Sequence, residues 1–521
     1  MTSASPTPTS AAPGIGTLTS PTPSDPSPHF EPTWESVSTH TVPSWYDDAK
    51  LGVFLHWGLY SVPGWAPQVD DIQQLLREQG PEAMLRSNPY AEWYRSSMQI
   101  DGSPTQRHHH DTFGDAPYDD FITAFDRGSA DADLDALAGA CHDAGARYVV
   151  LTTKHHEGFT LWPSQQRHPV KGMYRAQRDV VGDLTAAVRS RDMKMGLYYS
   201  GGYDWPWNDA VIQRPADTSL AVPADPAYQA YATAHVRELI DRYAPSVLWN
   251  DVCWPAGGNL AALFAHYYNT VDDGVVNDRW LQPTSARNRL SDAVTSGVGE
   301  LIQAAWQHLP EQWKSLTFPG AHHFDFNTPE YSSFSEIRDK KWESTRGVGH
   351  SFGANRNERP QDIVTTTELV RMLCDVVAKN GNLLIGVGPG ADGTVPDQQM
   401  APLRGLGDWM AVNGEAIYAT RPWTVPATTS TEGTEVRFTT STDGAPRLFA
   451  LLVDTPGRRT FSLRDVDATG VTSVRALGVD EPLVWSVGDH GALEVTLPER
   501  LPVAAAHALE LTGTARSTAT H

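Results

Sequence analysis

The chain has 521 residues, 40% of them hydrophobic, and its 62 acidic and 40 basic side chains give a formal net charge of −22. This length allows one large domain and a smaller one. The acidic balance disfavours negatively charged partners, so we expect no binding to nucleic acid or to membranes. No signal-peptide pattern is present at the start, and the three cysteines show no disulfide or zinc spacing, so we expect a cytoplasmic protein.

The N-terminal part of the chain divides into a tail and a long alternating region. Residues 1–40 are rich in Pro, Ser and Thr, which predicts a disordered tail. Over residues 41–424, amphipathic helical patterns alternate with short apolar runs such as LGVFLHWG, RYVVLTT, KMGLYYS, SVLWND, GVVNDRW and NLLIGVG. This alternation predicts a (β/α)8-like barrel of the TIM type, in the α/β class. Residues 281–320 interrupt the alternation, and we interpret them as an insertion.

The last part of the chain has a different pattern of apolar and polar residues. Residues 425–513 alternate apolar and polar side chains, as in TEVRFTTSTDGAPRLFALLVD, and show no long helical period. This pattern predicts an all-β sandwich domain, which we expect to pack on the barrel without taking part in catalysis. Residues 514–521 are interpreted as a short tail.

Polar and aromatic side chains follow the predicted barrel strands directly. They are His56, Trp57, His155, His156, Tyr198, Tyr199, Asp251, Asp278 and Arg279. The carboxyl ends of barrel strands form the rim where barrel enzymes build their active sites. Alone, Asp251 at the end of SVLWND would be interpreted as a cap of the next turn. Because so many polar residues share its rim, we interpret it as a catalytic carboxylate.

A second carboxylate is required for most glycoside chemistry, in which one group acts as nucleophile or base and the other protonates the leaving oxygen. The chain's 17 Trp and 17 Tyr also supply flat faces of the kind on which sugar rings bind. Spacing does not select the second carboxylate, and the candidates are Glu92, Glu157, Glu330 and Glu343.

The histidine-rich segments RHHHDTFG and TTKHHEG suggest a metal site at first sight. Adjacent histidines on an extended segment point to opposite faces, and no metallohydrolase motif is present, so we expect no metal. We expect His155 and His156 to bind sugar hydroxyls as neutral imidazoles. His108 to His110 are expected in a solvated loop.

Several long motifs carry a family likeness. They are WYDDAKLGVFLHWGLYSVPGW, AEWY, TTKHHEGFTLWPS, GLYYSGGYDW, VLWNDVCWP, VNDRW, TPEY, RGVGHSFG and KNGNLLIGVGPGADGTVP. On these motifs, which span nearly all of residues 43–425, the chain resembles the retaining α-L-fucosidases of glycoside hydrolase family 29. The resemblance implies a distorted (β/α)8 domain followed by a β-sandwich, and an exo-acting, cofactor-free glycoside hydrolase for fucosylated glycans or other fucosides. Relatives in the family often form homo-oligomers.

The resemblance also implies roles for single residues. Asp251 would be the nucleophile that forms a covalent fucosyl-enzyme, and Glu330 in TPEY would be the acid/base. Because the acid/base position varies between branches of the family, Glu343 and Glu92 stay alternatives. The substrate-binding residues implied are His56, Glu92, Trp93, His155, His156, Tyr198, Trp249, Arg279 and Phe352. Trp249 and Phe352 would flank the sugar ring and its C6 methyl group.

Two positions depart from the family pattern. Glu157 stands where relatives usually have Asp, and Ala354 stands where a Tyr is common, which would widen the leaving-group side. Two other functions stay open at this point: a fucose-binding, lectin-like protein that has lost its chemistry, and a glycosidase for a related sugar such as an α-L-galactoside.

Overall fold

The structure, a computed structural model, describes residues 29–70, 72–283, 321–442, 444 and 446–518. Seven parallel strands form one sheet in the order β5-β4-β3-β2-β1-β7-β6. They are β1 (Leu51–Leu55), β2 (Tyr148–Lys154), β3 (Lys194–Ser200), β4 (Val247–Asp251), β5 (Val275–Val276), β6 (Trp342–Gly347) and β7 (Gly381–Val387). Nearly every strand residue is buried, because parallel strands are covered on both faces.

An irregular segment joins the two edges of this sheet. Phe326 pairs with Asn277 just after β5, Asn327 pairs with Trp342 at the start of β6, and Glu330 pairs with Thr345, each in parallel orientation. Residues 326–330 therefore take the position of an eighth strand. The predicted (β/α)8-like architecture is confirmed, in a distorted form whose last strand is held by isolated bridges.

Helices surround the sheet, and several of them begin at side-chain caps. Asp179 caps one of them by accepting a hydrogen bond from Gly182 N, and Thr365 and Glu368 form a capping box at another. In the described part of the chain the helices are α1 (Trp34–Val37), α2 (Ser44–Ala49), α3 (Ile72–Arg86), α4 (Tyr94–Ser97), α5 (Pro104–Phe113), α6 (Phe121–Ala130), α7 (Leu134–Asp143), α8 (Val180–Arg189), α9 (Pro215–Leu220), α10 (Pro226–Tyr243), α11 (Leu260–Thr270), α12 (Thr366–Ala378) and α13 (Asp397–Asn413). None of these helices is long and apolar enough to cross a membrane.

The C-terminal domain is antiparallel, as predicted, with strand order β12-β13-β11-β14-β10-β9-β8. Its strands are β8 (Thr420–Thr429), β9 (Glu435–Ser441), β10 (Arg447–Val453), β11 (Thr460–Ala476), β12 (Val484–Val487), β13 (Ala492–Thr496) and β14 (Ala506–Ser517). Along β10 the side chains alternate between two cores: Leu448, Ala450 and Leu452 pack inside the domain, while Phe449 and Leu451 belong to the barrel core. A strand buried on both faces reads as a continuous apolar run, and the domain is thereby fixed to the barrel.

Some sequence-based boundaries were wrong. Residues 29–40 are folded, since Phe30 and Val37 are buried and α1 lies between them, so the predicted tail extends too far. The antiparallel sheet begins at Thr420, and β14 continues to Ser517, into the predicted C-terminal tail. His108 to His110 lie on α5 and not in a loop. The rest of the N-terminal tail (1–28) and most of the insertion (284–320) lie outside the described residues.

Candidate active site

Asp251 is the last residue of β4 and receives hydrogen bonds on both carboxylate oxygens. The Tyr198 hydroxyl donates to Oδ2 at 2.8 Å. Arg279 Nη1 and the backbone N–H of Val252 donate to Oδ1 at 2.9 and 2.8 Å. Burial opposes the ionisation of Asp251, but Arg279 and the Tyr198 hydroxyl outweigh it and hold the pKa of this carboxyl below its ordinary value. Asp251 is therefore ionised at neutral pH.

Arg279 connects Asp251 to a second carboxylate. Its Nη2 atom lies 2.6 Å from Glu330 Oε1, while Nη1 is bound to Asp251. Nε donates to Thr328 Oγ1 at 3.0 Å, and the guanidinium lies 4.7 Å from the ring centroid of Trp249. A planar guanidinium has fixed donor directions, so one side chain holds both acidic groups on the same side of the barrel.

Glu330 is carried by the irregular eighth strand. Asp278 secures this strand by accepting hydrogen bonds from Thr328 Oγ1 at 2.6 Å and Asn327 Nδ2 at 2.9 Å. The Glu330 side chain is 33% exposed, whereas that of Asp251 is 16% exposed. Glu330 thus lies on the solvent side of the pair.

Glu343, an alternative acid/base, is enclosed in the barrel. Its Oε2 accepts hydrogen bonds from the hydroxyls of Tyr46 and Tyr148 at 2.8 and 2.6 Å, and Oε1 accepts from Trp249 Nε1 at 3.1 Å. Burial raises the pKa of Glu343 against the effect of these donors. With three donors from the protein and no exposed surface, Glu343 supports Trp249 from within the barrel.

Glu92, the other alternative, holds the loop that carries Phe352. Its Oε2 accepts hydrogen bonds from Gly353 N at 2.9 Å and Ser351 Oγ at 3.1 Å. Burial raises the pKa of Glu92 to about 7, so protonated and ionised forms coexist near neutral pH. The Phe352 ring lies 4.8 Å from the ring of His56, which brings Glu92, Phe352 and His56 to one part of the site.

The two histidines after β2 both face the site. Their ring centroids are 4.0 Å apart, and His156 Nε2 lies 3.7 Å from Asp251 Oδ2. The expectation that adjacent histidines point to opposite faces is wrong here, because the strand ends at Lys154 and the chain turns directly after it. Burial holds the pKa values of His155 and His156 well below the ordinary value, so both rings are neutral.

Of the three site histidines His56, His155 and His156, two have a buried ring nitrogen without a partner within the described residues. These atoms are Nδ1 of His56 and Nδ1 of His155, whereas Nδ1 of His156 lies 2.6 Å from Ser200 Oγ. Burial also holds the pKa of His56 well below the ordinary value. A buried polar atom without a hydrogen bond is costly, so these rings suit a ligand that supplies hydroxyl groups.

His155, His156 and Asp251 could together hold a metal ion, because each places a ligand atom within 4.8 Å of the others. Arg279 already pairs with Asp251 at 2.9 Å, and its positive charge would repel a metal ion bound to this carboxylate. The absence of a catalytic metal stays a prediction. His40, His323 and Asp325 form a similar cluster away from the site, where Asp325 already accepts hydrogen bonds from His40 and the Tyr268 hydroxyl.

The polar residues beside the two histidines have structural roles. Lys154 is buried, with Nζ 3.3 Å from Asp204 Oδ2 and a hydrogen bond to Ser200 O. Glu157 accepts hydrogen bonds from Leu59 N and from the Tyr118 hydroxyl. In the segment TTKHHEG, therefore, the two histidines face the site, and their neighbours fix the turn that directs them.

Aromatic side chains border the two carboxylates. The Trp93 ring packs edge-on to that of His156 at 5.4 Å, and Trp249 is only 1% exposed beneath Arg279. Tyr90 and Tyr331, which the sequence did not single out, lie 6.0 and 5.6 Å from the Phe352 ring. Tyr90 directly precedes the motif AEWY, and Tyr331 is the last residue of the motif TPEY. Their places at these motifs are the sequence signal that could have identified them.

Ala354, one of the two departures from the family pattern, lies in close contact with Gly388. It is buried, and its backbone N lies only 2.1 Å from where a Cβ on Gly388 would be. The wider leaving-group side expected from this alanine stays a prediction.

Known proteins resemble this chain over most of its length. Residues 18–415 match the family model described as Alpha-L-fucosidase. The alpha-L-fucosidase of Dictyostelium discoideum is 30% identical over 488 residues, which cover 91% of this chain and 89% of that protein. Tissue alpha-L-fucosidase of Bos taurus is 30% identical over 503 residues, with 93% and 92% covered. The crystal structure of Thermotoga maritima alpha-fucosidase in complex with fucose is 38% identical, has a TM-score of 0.75, and covers 92% of this chain and 100% of its own.

Proposed function

The chain belongs to the alpha-L-fucosidase family, and from this premise we propose that it hydrolyses terminal α-L-fucosides with retention, using Asp251 as nucleophile and Glu330 as acid/base. As a member of this family it is a glycoside hydrolase that acts on fucosylated substrates. The observation that carries the mechanism is the bridge from Asp251 through Arg279 to Glu330. Retention requires two carboxyl groups about 5–5.5 Å apart, and a shared guanidinium supports such a separation.

In the first step, Asp251 attacks the anomeric carbon as the bond to the leaving oxygen breaks, and Glu330 gives its proton to that oxygen. In the second step, Glu330 takes a proton from water, which displaces Asp251 from the sugar. Hydrogen bonds from Tyr198 and Arg279 favour ionised Asp251. The 33% exposure of Glu330 supports its contact with both leaving group and water.

Recognition of the sugar is assigned to neutral imidazoles and an apolar wall. His56, His155 and His156 are buried and uncharged, so they bind hydroxyl groups as hydrogen-bond donors and acceptors. Phe352 packs against His56 at 4.8 Å and Tyr331 at 5.6 Å. This packed wall suits the C6 methyl group of fucose better than the larger hydroxymethyl group of galactose. Glu92, Trp93 and Trp249 complete the proposed sugar site.

The first test is release of nitrophenol from 4-nitrophenyl α-L-fucoside by the parent enzyme and by Asp251→Gly, with and without azide. We expect Asp251→Gly to lose nearly all turnover, and azide to restore it with β-fucosyl azide as product. For the parent enzyme, NMR should detect the α anomer of fucose first. An inert parent that binds fucose would favour the lectin-like alternative, and first release of the β anomer would contradict retention.

A matched substrate tests the choice of sugar. The galactoside 4-nitrophenyl α-L-galactoside differs from the fucoside at C6 alone, and we expect a kcat/KM at least tenfold lower because the wall at Phe352 accommodates a methyl group. Equal kcat/KM values would favour the broader glycosidase. The cytoplasmic location and the oligomeric state stay predictions from the sequence.

A further inference from the structure

The residue directly after Asp251 has an unusual backbone conformation. Val252 has φ of +68°, in the left-handed region. Side chains branched at Cβ rarely adopt this region, because Cβ then crowds the following carbonyl group. Such a conformation persists only where the surrounding structure imposes it, and it is concentrated at functional sites.

The conformation of Val252 belongs to a tight turn at the end of β4. Cys253 N donates to Asp251 O at 2.9 Å, which closes a three-residue γ-turn with Val252 at its centre. With a positive central φ, this is the rare and strained form of the γ-turn. Gly202 N donates to the same carbonyl at 3.2 Å, so the turn is also fixed to the segment that follows β3.

Packing holds the Val252 side chain in place. A Cβ on Gly202 would lie 2.6 Å from Val252 Cβ, so a glycine is required at this contact. On its other sides Val252 packs against the hydrophobic cluster that contains Leu85, Tyr203 and Trp205. These contacts keep the chain in a conformation that an isolated valine would avoid.

The turn directs a backbone N–H at the carboxylate of Asp251. Val252 N donates to Oδ1 at 2.8 Å, next to the bond from Arg279 Nη1 to the same oxygen. Oδ2 accepts one hydrogen bond, from the Tyr198 hydroxyl, and lies 3.7 Å from His156 Nε2. The two oxygens therefore differ: Oδ1 is held by two donors, and Oδ2 retains more of its lone-pair density.

We infer that Val252 is a positioning residue whose backbone N–H fixes Oδ1 of Asp251, so that Oδ2 is the oxygen that attacks the anomeric carbon. The inference rests on the proposed function, in which Asp251 is the nucleophile. The bond from Oδ2 to the anomeric carbon forms as the bond to the leaving oxygen breaks, and that oxygen receives the proton of Glu330. The isopropyl group itself has no role in this chemistry.

Two substitutions separate the backbone from the side chain. Val252→Gly removes the isopropyl group but adopts positive φ freely and keeps the N–H. Val252→Pro removes the same group, fixes φ near −65° and has no N–H. We expect kcat within about threefold of the parent for Val252→Gly and a fall of about a hundredfold for Val252→Pro. Equal losses in the two variants would assign the effect to the side chain and overturn the inference.

A backbone ester keeps the test valid if Val252→Pro does not fold. Incorporation of the α-hydroxy acid analogue of valine at position 252 removes the N–H and retains the side chain. We expect kcat to fall by about tenfold to a hundredfold with little change in KM, as for loss of a hydrogen bond to a charged group. The acidic limb of the kcat profile should also move to higher pH, because ionised Asp251 loses a donor. A kcat of the ester enzyme within twofold of that of the parent would overturn the inference.

The same ester in the Asp251→Gly background distinguishes positioning from a general structural effect. Azide-restored turnover in that background does not use the carboxylate, so the ester should leave it unchanged. An equal loss in both backgrounds would show that the N–H maintains the fold and does not position Asp251. If Asp251→Gly alone retained the parent's turnover, the nucleophile assignment would fail, whatever the ester does.

Discussion

The indole N–H of Trp249 donates a hydrogen bond to Oε1 of Glu343 at 3.1 Å, and both side chains are buried. The Trp249 ring also borders the active site, because the Arg279 guanidinium lies over it. Glu343 therefore supports the carboxylates of Asp251 and Glu330 through Trp249 and Arg279, from inside the barrel.

Removal of Glu343 should affect stability more than mechanism. Glu343→Ala leaves the donors of Tyr46, Tyr148 and Trp249 without an acceptor, and each buried unsatisfied group costs about 1–3 kcal/mol. We expect the free energy of unfolding in urea to fall by about 3 kcal/mol or more, and by less in the control Glu343→Gln, which keeps one acceptor oxygen. Normal stability with a loss confined to poor leaving groups would instead make Glu343 the acid.

Removal of Glu330 should depend on the leaving group. Glu330→Ala has no proton donor, so kcat/KM for methyl α-L-fucoside should fall by about 10²–10⁴-fold. The kcat/KM for a 2-chloro-4-nitrophenyl fucoside should fall much less. Azide should intercept the fucosyl-enzyme of this variant to give α-fucosyl azide. The control is Glu336→Ala, an exposed glutamate on the same segment. Equal losses for both substrates would move the acid role to Glu92.

Removal of the positive charge at Arg279 should change the pH profile. Arg279 opposes the effect of burial on Asp251 and holds the pKa of that carboxyl low, so Arg279→Met raises it. Since the nucleophile must be ionised, the acidic limb of kcat/KM should move to higher pH, with kcat about a hundredfold lower. Arg279→Lys keeps the charge but lacks the planar guanidinium, so its kcat and the position of its acidic limb should lie between those of the parent and Arg279→Met. An unchanged acidic limb in Arg279→Met would contradict the role of Arg279.

Glu92 should make stability depend on pH. Burial raises its pKa from 4.5 to about 7, so between these pH values the folded protein keeps a proton that the unfolded chain has released. This contribution to stability falls as pH rises from 4.5 to 7 and then stays constant. Between pH 4.5 and pH 8, the free energy of unfolding of Glu92→Gln should therefore rise by up to about 3 kcal/mol relative to that of the parent, at roughly 1.4 kcal/mol per pKa unit.

Urea unfolding at pH 4.5, 6 and 8 measures this difference. The exposed Asp408→Asn on α13 is the surface control, and its stability should differ little from that of the parent at each pH. A difference between Glu92→Gln and the parent that stays constant from pH 4.5 to 8 would show that Glu92 titrates alike in the folded and unfolded chains.

Local patterns predicted much of the barrel. The run KMGLYYS coincides with β3, and SVLWND contains β4 with Asp251 at its end. These strands are predictable because a buried parallel strand is a short, continuous apolar run, and polar residues can follow it only where it leaves the core. The eighth strand at residues 326–330 has no such run, because isolated bridges and hydrogen bonds to Asp278 hold it.

The acidic candidates were separable only in three dimensions. Glu92, Glu330 and Glu343 each stand among aromatic and polar residues in the sequence, yet one anchors a loop, one faces Arg279 and one lies inside the barrel. Likewise, His155 and His156 converge on Asp251 because the chain turns after β2, against the alternation expected of an extended segment.

Hydrophobic periodicity and family motifs by themselves determined the barrel, the β domain and Asp251 as a rim carboxylate, because burial imposes a repeat that can be read along the chain. The tertiary structure alone decided which side chains meet Asp251, which of its oxygens Val252 holds, and that Arg279 reaches Glu330 from the segment after β5. Such contacts depend on directions set by turns and by barrel closure, and residues far apart in sequence carry no local mark of them.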